Sequence, residues 1–264
     1  MARFCTLFSG SSGNSTYLGC KEQGALIDAG ASCKAILSAL RQRELVQESI
    51  GAIVLTHEHS DHVKGVRVLL KTLQVPLYAP KETLEYLAEK NQLPSGCQVQ
   101  EITAGQPFEA AGMWFTPFDT SHDAAASCGY RVQLPDERVV SVATDLGYIS
   151  PEVHQGISGS DLVLLEANYD SAMLQCSAYP YLLKRRIASQ SGHLSNTDCA
   201  KEALALVRQG TGRLVLGHLS KENNMPLLAY ETVNAELKAA GMQQGKDYLL
   251  QVAERSGPGD LILF

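Results

Sequence analysis

The chain has 264 residues, 45% of them apolar and 19% charged, with no low-complexity tract, which is the composition of a folded globular protein rather than a disordered or fibrous one. One domain over residues 1–264 is expected, since this length fits one large core. A formal net charge of −6 excludes a nucleic-acid binder that works through overall basicity, but leaves room for a local basic patch or for cations that offset the acid.

The first third reads as short strands, "FCTLF", "STYLGC" and "GALIDAG", punctuated by Gly10, Gly13, Gly24 and Gly30. A helix follows in "SCKAILSALRQREL", where Ser32 can cap and Ile36, Leu37 and Leu40 share a face. The apolar strand "GAIVLTH" leads into a histidine cluster; after it, "VKGVRVLLKTL" has helical periodicity, and "VPLYAP" with "PKETLEYLAEKNQL" repeats a strand and a helix. The middle turns to β in "CQVQEIT", "QPFEAAGMWFTPFDTSH", "CGYRVQL" and "RVVSVATDLG". Alternation then returns with "DLVLLEAN", "LSNTDCAKEALALVRQG", "RLVLGH" and "NMPLLAYETVNAELKAAG". Two β-rich blocks with their own helices predict an α/β (α+β) protein with two sheets face to face and helices outside.

No apolar run approaches the roughly 20 residues that span a bilayer, and the opening "MARFCTLFSGSSGNS" breaks into Ser and Gly before any leader core develops. A cytoplasmic protein without membrane attachment is expected. The cysteines Cys5, Cys20, Cys33, Cys97, Cys128, Cys176 and Cys199 are never spaced C-x-x-C, so buried free thiols are expected rather than disulfides or a thiolate zinc site.

Histidine and aspartate recur where strands end: Asp28 after "ALI", His57 after "AIVLT", Asp145 after "VVSVAT", His218 after "RLVLG", and His122 after "WFTPFDTS". Strand ends on one edge of a sandwich converge. In "THEHSDH" His57 and His59 point the same way from an extended segment, so two ring nitrogens can grip one ion at about 2.0–2.1 Å. Asp61 and His62 then face a second position, and Asp145 could bridge both. A lone histidine at a strand end is ordinarily a hydrogen-bonded core residue, but H-x-H-x-D-H after an apolar strand is rarely accidental. Such nitrogen and oxygen donors suit zinc, and equally manganese or iron.

These five motifs, in this order, resemble the metallo-β-lactamase-fold hydrolases over essentially the whole chain. The resemblance implies a four-layer αββα sandwich with two divalent metal ions on its edge: His57, His59 and His122 on one, Asp61, His62 and His218 on the other, Asp145 between them, and Asp28 orienting ligands from behind. Paired cations make a nucleophile from water near neutral pH, but the fold serves lactam, thioester and phosphodiester substrates and cannot choose among them.

A sugar alkoxide leaves poorly and gains from a positioned acid, whereas a thiolate leaves unaided. His193 in "SGHLSN" is a spare imidazole, and Glu166 in "LLEAN" could orient it; the alternative is that His193 only caps the helix starting near Ser195. The pair is similar to the glutamate and histidine dyad of the ribonuclease Z group, with Leu165 and Asn168 departing from that pattern. Lys184, Arg185 and Arg186 concentrate positive charge on a helix just before His193, either as a phosphate clamp or as a solvated face. Ser11 and Asn14, in the turn "SGSSGNS", could offer hydrogen bonds to an anion. Together with "LIDAG", "TDLGY", "YPYLLKRRI" and "GHLSN" these stretches resemble the YycJ/WalJ family, which implies a 5′→3′ exonuclease on double-stranded DNA with a suggested part in DNA repair. Neither the transfer-RNA arm of ribonuclease Z nor the inserted domain of the β-CASP nucleases fits. A thioester or ester hydrolase of glyoxalase II type is the alternative enzyme, and a non-catalytic regulatory metal-binding protein the alternative outside enzymes.

Overall fold

The computed structural model describes residues 1–264 and contains two seven-stranded sheets. In chain order the first takes β1 (Ala2–Phe8), β2 (Ser15–Cys20), β3 (Gln23–Ile27), β4 (Ile50–Val54), β5 (Leu77–Pro80) and β6 (Val99–Ile102). The second takes β7 (Phe108–Ala110), β8 (Met113–Asp119), β9 (Cys128–Gln133), β10 (Val139–Ala143), β11 (Leu162–Glu166), β12 (Arg213–Gly217) and β13 (Leu249–Val252), and β14 (Ile262–Leu263) returns to the first sheet beside β1. Nine α-helices intervene: α1 (Cys33–Gln42), α2 (Ser60–Val63), α3 (Val66–Leu73), α4 (Lys81–Glu89), α5 (Pro151–Ile157), α6 (Ser171–Cys176), α7 (Tyr181–Ile187), α8 (Asn196–Arg208) and α9 (Pro226–Ala239).

Alternation along each central strand feeds two cores at once. On β3 and β4, Ala25, Ile27, Ala52 and Val54 face the second sheet, while Leu26 and Ile53 face α1, α3 and α4 through Ile36, Leu69 and Leu87. On β11, Leu162 and Leu164 face inward, and Val163 and Leu165 pack on α5, α8 and α9 through Val153, Leu206 and Val233. Burial on both faces explains why these strands read as unbroken apolar runs. The layers are the αββα sandwich the motifs implied.

Strands β3 to β6 are mutually parallel, as are β10 to β13. Parallel strands with outside helices deliver all their C-terminal ends to one edge, which is where such sheets collect ligands. The sequence did not disclose α5, α6, β13 or β14. Ser32 caps α1, accepting from Ala35 N–H. Five cysteines are buried, but Cys97 is partly exposed and Cys176 exposed, a correction to the uniform burial expected; all seven are free. No helix is long and apolar enough to cross a membrane.

Candidate metal centre

The residues at the strand ends meet on one edge. Asp28, Asp145 and His218 each sit just past β3, β10 and β12 with positive φ, at 63°, 59° and 54°. This left-handed backbone costs about 1–3 kcal/mol per non-glycine residue, and it turns each side chain from the strand line toward the common edge. Gly30 lies two residues past Asp28, and a Cβ there would lie 1.6 Å from the Asp61 carbonyl oxygen, so only glycine lets the two loops touch.

Four overlapping groups of donors result, each with its donor atoms within 4.8 Å of one another: the two expected, His57, His59 and His122, and Asp61, His62 and His218, together with His57, His62 and Asp145, and Asp145, Glu166, His193 and His218. Asp145 stands between the two expected groups, Oδ1 3.5 Å from His122 Nε2 and Oδ2 3.2 Å from His62 Nε2. Most rings are fixed through one nitrogen. His62 Nδ1 is 2.8 Å from Asp28 Oδ2, His57 Nδ1 is 3.0 Å from Thr56 Oγ1, His122 Nδ1 is 3.0 Å from the Gly192 carbonyl, and His218 Nδ1 is 2.8 Å from Glu166 Oε1. Rings held this way present the opposite nitrogen as a ligand. His57 Nε2, His218 Nε2 and Asp145 Oδ2 are buried without a hydrogen-bond partner. Orphaned polar atoms of this kind are costly in a folded core, and a divalent cation is the partner that this nitrogen and oxygen set fits.

The buried carboxylates and imidazoles also shift one another's protonation. Burial pushes the His57 imidazole well below its ordinary value, with His62 adding to the effect. Burial also opposes charge on His62, but Asp28 and Asp145 overcome it and hold that ring up at about 10. Asp145, whose burial alone would raise it, is held well below the usual carboxylate range by His218 and His62.

Several residues to which the sequence assigned no place in the site do the bracing. The Thr56 hydroxyl donates to Asp28, with oxygens at 3.1 and 3.0 Å, and its N–H donates to Asp28 Oδ1 at 2.9 Å. Glu58 is buried and accepts from Ala125 N–H at 2.7 Å, which ties down the loop bearing His122. Asn168 donates its amide to the His218 carbonyl at 2.8 Å.

His193 lies beside both expected groups, its ring centroid 5.1 Å from His122 and 5.2 Å from His218. Its Nδ1 is 2.8 Å from Glu166 Oε1, and its side chain is 23% exposed. Ser195, not His193, caps α8, which removes the bland alternative. Glu166 is fully buried and is kept ionised, burial notwithstanding, by His193 and His218.

The remaining candidates are dispersed. Asn14, expected to face an anion, is buried and its side chain contacts Gly10 N–H, Asp61 and His62, so it braces the donor groups instead. Ser11 is exposed and lines an open cavity. Lys184, Arg185 and Arg186 do not form one clamp: Lys184 donates to the Gln175 carbonyl, Arg185 lies over the Tyr181 ring, and Arg186 pairs with Asp123, next to His122. The helix itself buries none of its residues.

Comparison with known proteins agrees with this geometry. Residues 25–219 match the Beta-lactamase superfamily domain. The exodeoxyribonuclease WalJ of Streptococcus pneumoniae is 37% identical over 248 residues, 93% of this chain and 92% of its own length. The exodeoxyribonuclease YycJ of Bacillus anthracis is 35% identical over the same shares. Among solved structures, Zn2+-bound PqqB of Methylobacterium extorquens superposes with a TM-score of 0.75 at 17% identity, covering 98% of this chain and 100% of its own; at that identity only the fold is shared. The chain therefore belongs to the metallo-β-lactamase superfamily and, within it, to the family of the WalJ and YycJ proteins.

Proposed function

We propose that this protein is a phosphodiesterase that removes nucleotides from DNA, as the exodeoxyribonuclease names of its relatives suggest, and that it works 5′→3′ on double-stranded DNA with a place in DNA repair, as its resemblance to the YycJ/WalJ family implies. Support for a poor leaving group comes from one observation above all: a further imidazole, His193, is locked to buried Glu166 beside the two expected three-residue groups and belongs to neither of them. His57, His59 and His122 would hold one divalent cation, Asp61, His62 and His218 a second, and Asp145 would serve both; zinc suits these donors, as do manganese and iron. When bound, the pair supplies a nucleophile from water near neutral pH and draws charge from phosphoryl oxygens.

The chain's own groups do the rest. Glu166 fixes His193 through Nδ1, which leaves Nε2 to pass a proton to the departing sugar oxygen. Such a donor contributes typically 10²–10⁴ in rate. Asp28 and Thr56 keep His62 and His57 in orientation. Arg186, exposed and paired with Asp123 next to His122, would meet a backbone phosphate with the rest of its fork. A thioester hydrolase would use Glu166 to hold His218 but would leave His193 idle, and a purely regulatory metal protein would leave His193 unexplained.

The test incubates end-labelled double- and single-stranded DNA and RNA with wild type and His193→Ala, each with zinc, manganese or chelator. We expect nucleotide release from duplex DNA that needs metal and drops at least a hundredfold in His193→Ala. Equal rates in the two proteins contradict the assignment.

A further inference from the structure

A cavity of about 550 Å3 opens next to the metal centre, bounded by Ser11 and Ser12 on one loop, Leu219 and Ser220 on a second, Arg255 near the C-terminus, and Tyr179 before α7. Its walls are the same loops that build the centre. Leu219 and Ser220 directly follow His218, and Ser9, two residues before Ser11, accepts the His218 backbone N–H at 2.9 Å. Asn14, at the other end of that turn, lies against Asp61 and His62. A ligand in this cavity and one at the centre are therefore neighbours along one surface, and a cavity of this size is in the range that admits a small organic ligand.

Two cations line it, Lys221 and Arg255, and neither takes part in any of the chain's five ion pairs between Lys or Arg and a carboxylate. Arg255 is partly buried, and its stem rests on the turn: a Cβ at Gly10 would lie 2.9 Å from Arg255 Cγ and 3.3 Å from the Leu219 carbonyl. Glycine at position 10 thus seats the arginine against the His218 loop while its fork of N–H donors has no protein acceptor. Glu222 and Glu254 also border the cavity, both solvent-exposed. An arginine packed along its stem and left with a free head is placed to take an external planar acceptor, and phosphate oxygens fit that fork. Hydroxyls of Ser11 and Ser12 supply further donors, and Tyr179 supplies an aromatic face of the kind on which bases stack.

We propose that this cavity is a nucleotide subsite that holds a nucleic-acid phosphate through Arg255, assisted by Lys221 and the turn at residues 9–14, while the neighbouring phosphodiester lies at the metal centre. The proposal rests on the nuclease reading for its substrate, but the binding it asserts does not need turnover. The phosphate comes from one of two sources, the 5′-terminal phosphate or an internal linkage of the strand, and both present the same oxygens.

The experiment measures binding and hydrolysis of fluorescent duplex DNA with 5′-phosphate or 5′-hydroxyl ends by metal-loaded wild type, Arg255→Ala, Arg255→Lys and Lys221→Ala, over a range of salt. Loss of one phosphate contact lowers the slope of log K against log salt by about 0.9. We expect Arg255→Ala to show that drop and at least a tenfold rise in KM with less than a threefold fall in kcat, Arg255→Lys to recover part of it, and metal content to match wild type. If the effect needs a 5′-phosphate, the subsite takes the strand end; if both ends respond alike, it takes an internal linkage. Unchanged slope and KM in Arg255→Ala overturn the subsite even when wild type cleaves DNA. DNA binding with the Arg255-dependent slope in a wild type that cleaves nothing overturns the nuclease reading and leaves the subsite standing.

Discussion

Glu166 accepts from His193 and His218 through Oε1 and from the backbone N–H groups of Leu146 and Leu194 through Oε2. One buried carboxylate thus positions both a candidate ligand and the candidate proton donor. Replacing it with Gln keeps the volume but sets an amide N–H against donors, so Glu166→Gln should lose both functions. We expect metal affinity to fall about 10–100-fold, as for a lost hydrogen-bond partner of a metal-bound histidine, along with the rate, whereas His193→Ala loses rate alone; metal analysis beside turnover separates them, and full metal retention in Glu166→Gln contradicts the shared role. The sequence disclosed the candidate ligands because histidine and aspartate at strand ends form a rare pattern. It hid Thr56 and Asn168, since a threonine or asparagine beside a histidine is common and only the fold shows that the side chains touch. The misplaced expectation for Asn14 has the same origin: a polar turn residue looks alike whether it faces solvent or the interior.

At the scale of elements, the loop after β3 and the turn between β1 and β2 both meet the short helix α2 backbone to backbone, with Ala29 N–H donating to the His62 carbonyl and Asn14 N–H to the Asp61 carbonyl. Gly30→Ala places a methyl group where that contact is. We expect a loss of about 1–3 kcal/mol, the usual cost of forcing atoms into a packed region, read as a lower denaturation midpoint together with reduced metal uptake; a stable variant with full metal would show that the loops have slack. Long, doubly buried strands and helices such as α8 and α9 were legible because their apolar patterns persist over many residues. The six- and seven-residue helices α6 and α5 are too short to establish a period, and β13 and β14 are short edge strands whose partners lie far away in sequence. Their existence follows from completing the sheets, which local pattern does not convey.

Taken as a whole molecule, two parallel-strand blocks send their C-terminal ends to one edge, so donors from residue 28 to residue 218 gather without any local motif beyond "THEHSDH". That convergence was legible once a sandwich was assumed. The same edge joins both sheets, and we propose that residues 1–264 unfold as one unit. Metal-loaded protein should show a single denaturation transition, and chelation should lower its stability by about 2.7 kcal/mol for each of the two sites when free metal had stood 100-fold above Kd; two separate transitions would divide the sheets into independent domains. The central claim is that an imidazole beside a metal pair protonates a poor leaving group. Its most direct test compares wild type with His193→Ala on duplex DNA and on a p-nitrophenyl phosphodiester of thymidine, whose phenolate leaves without help. A loss of about 10²–10⁴ on DNA with little loss on the activated ester is the predicted result; equal losses on both substrates, or none on either, would contradict it.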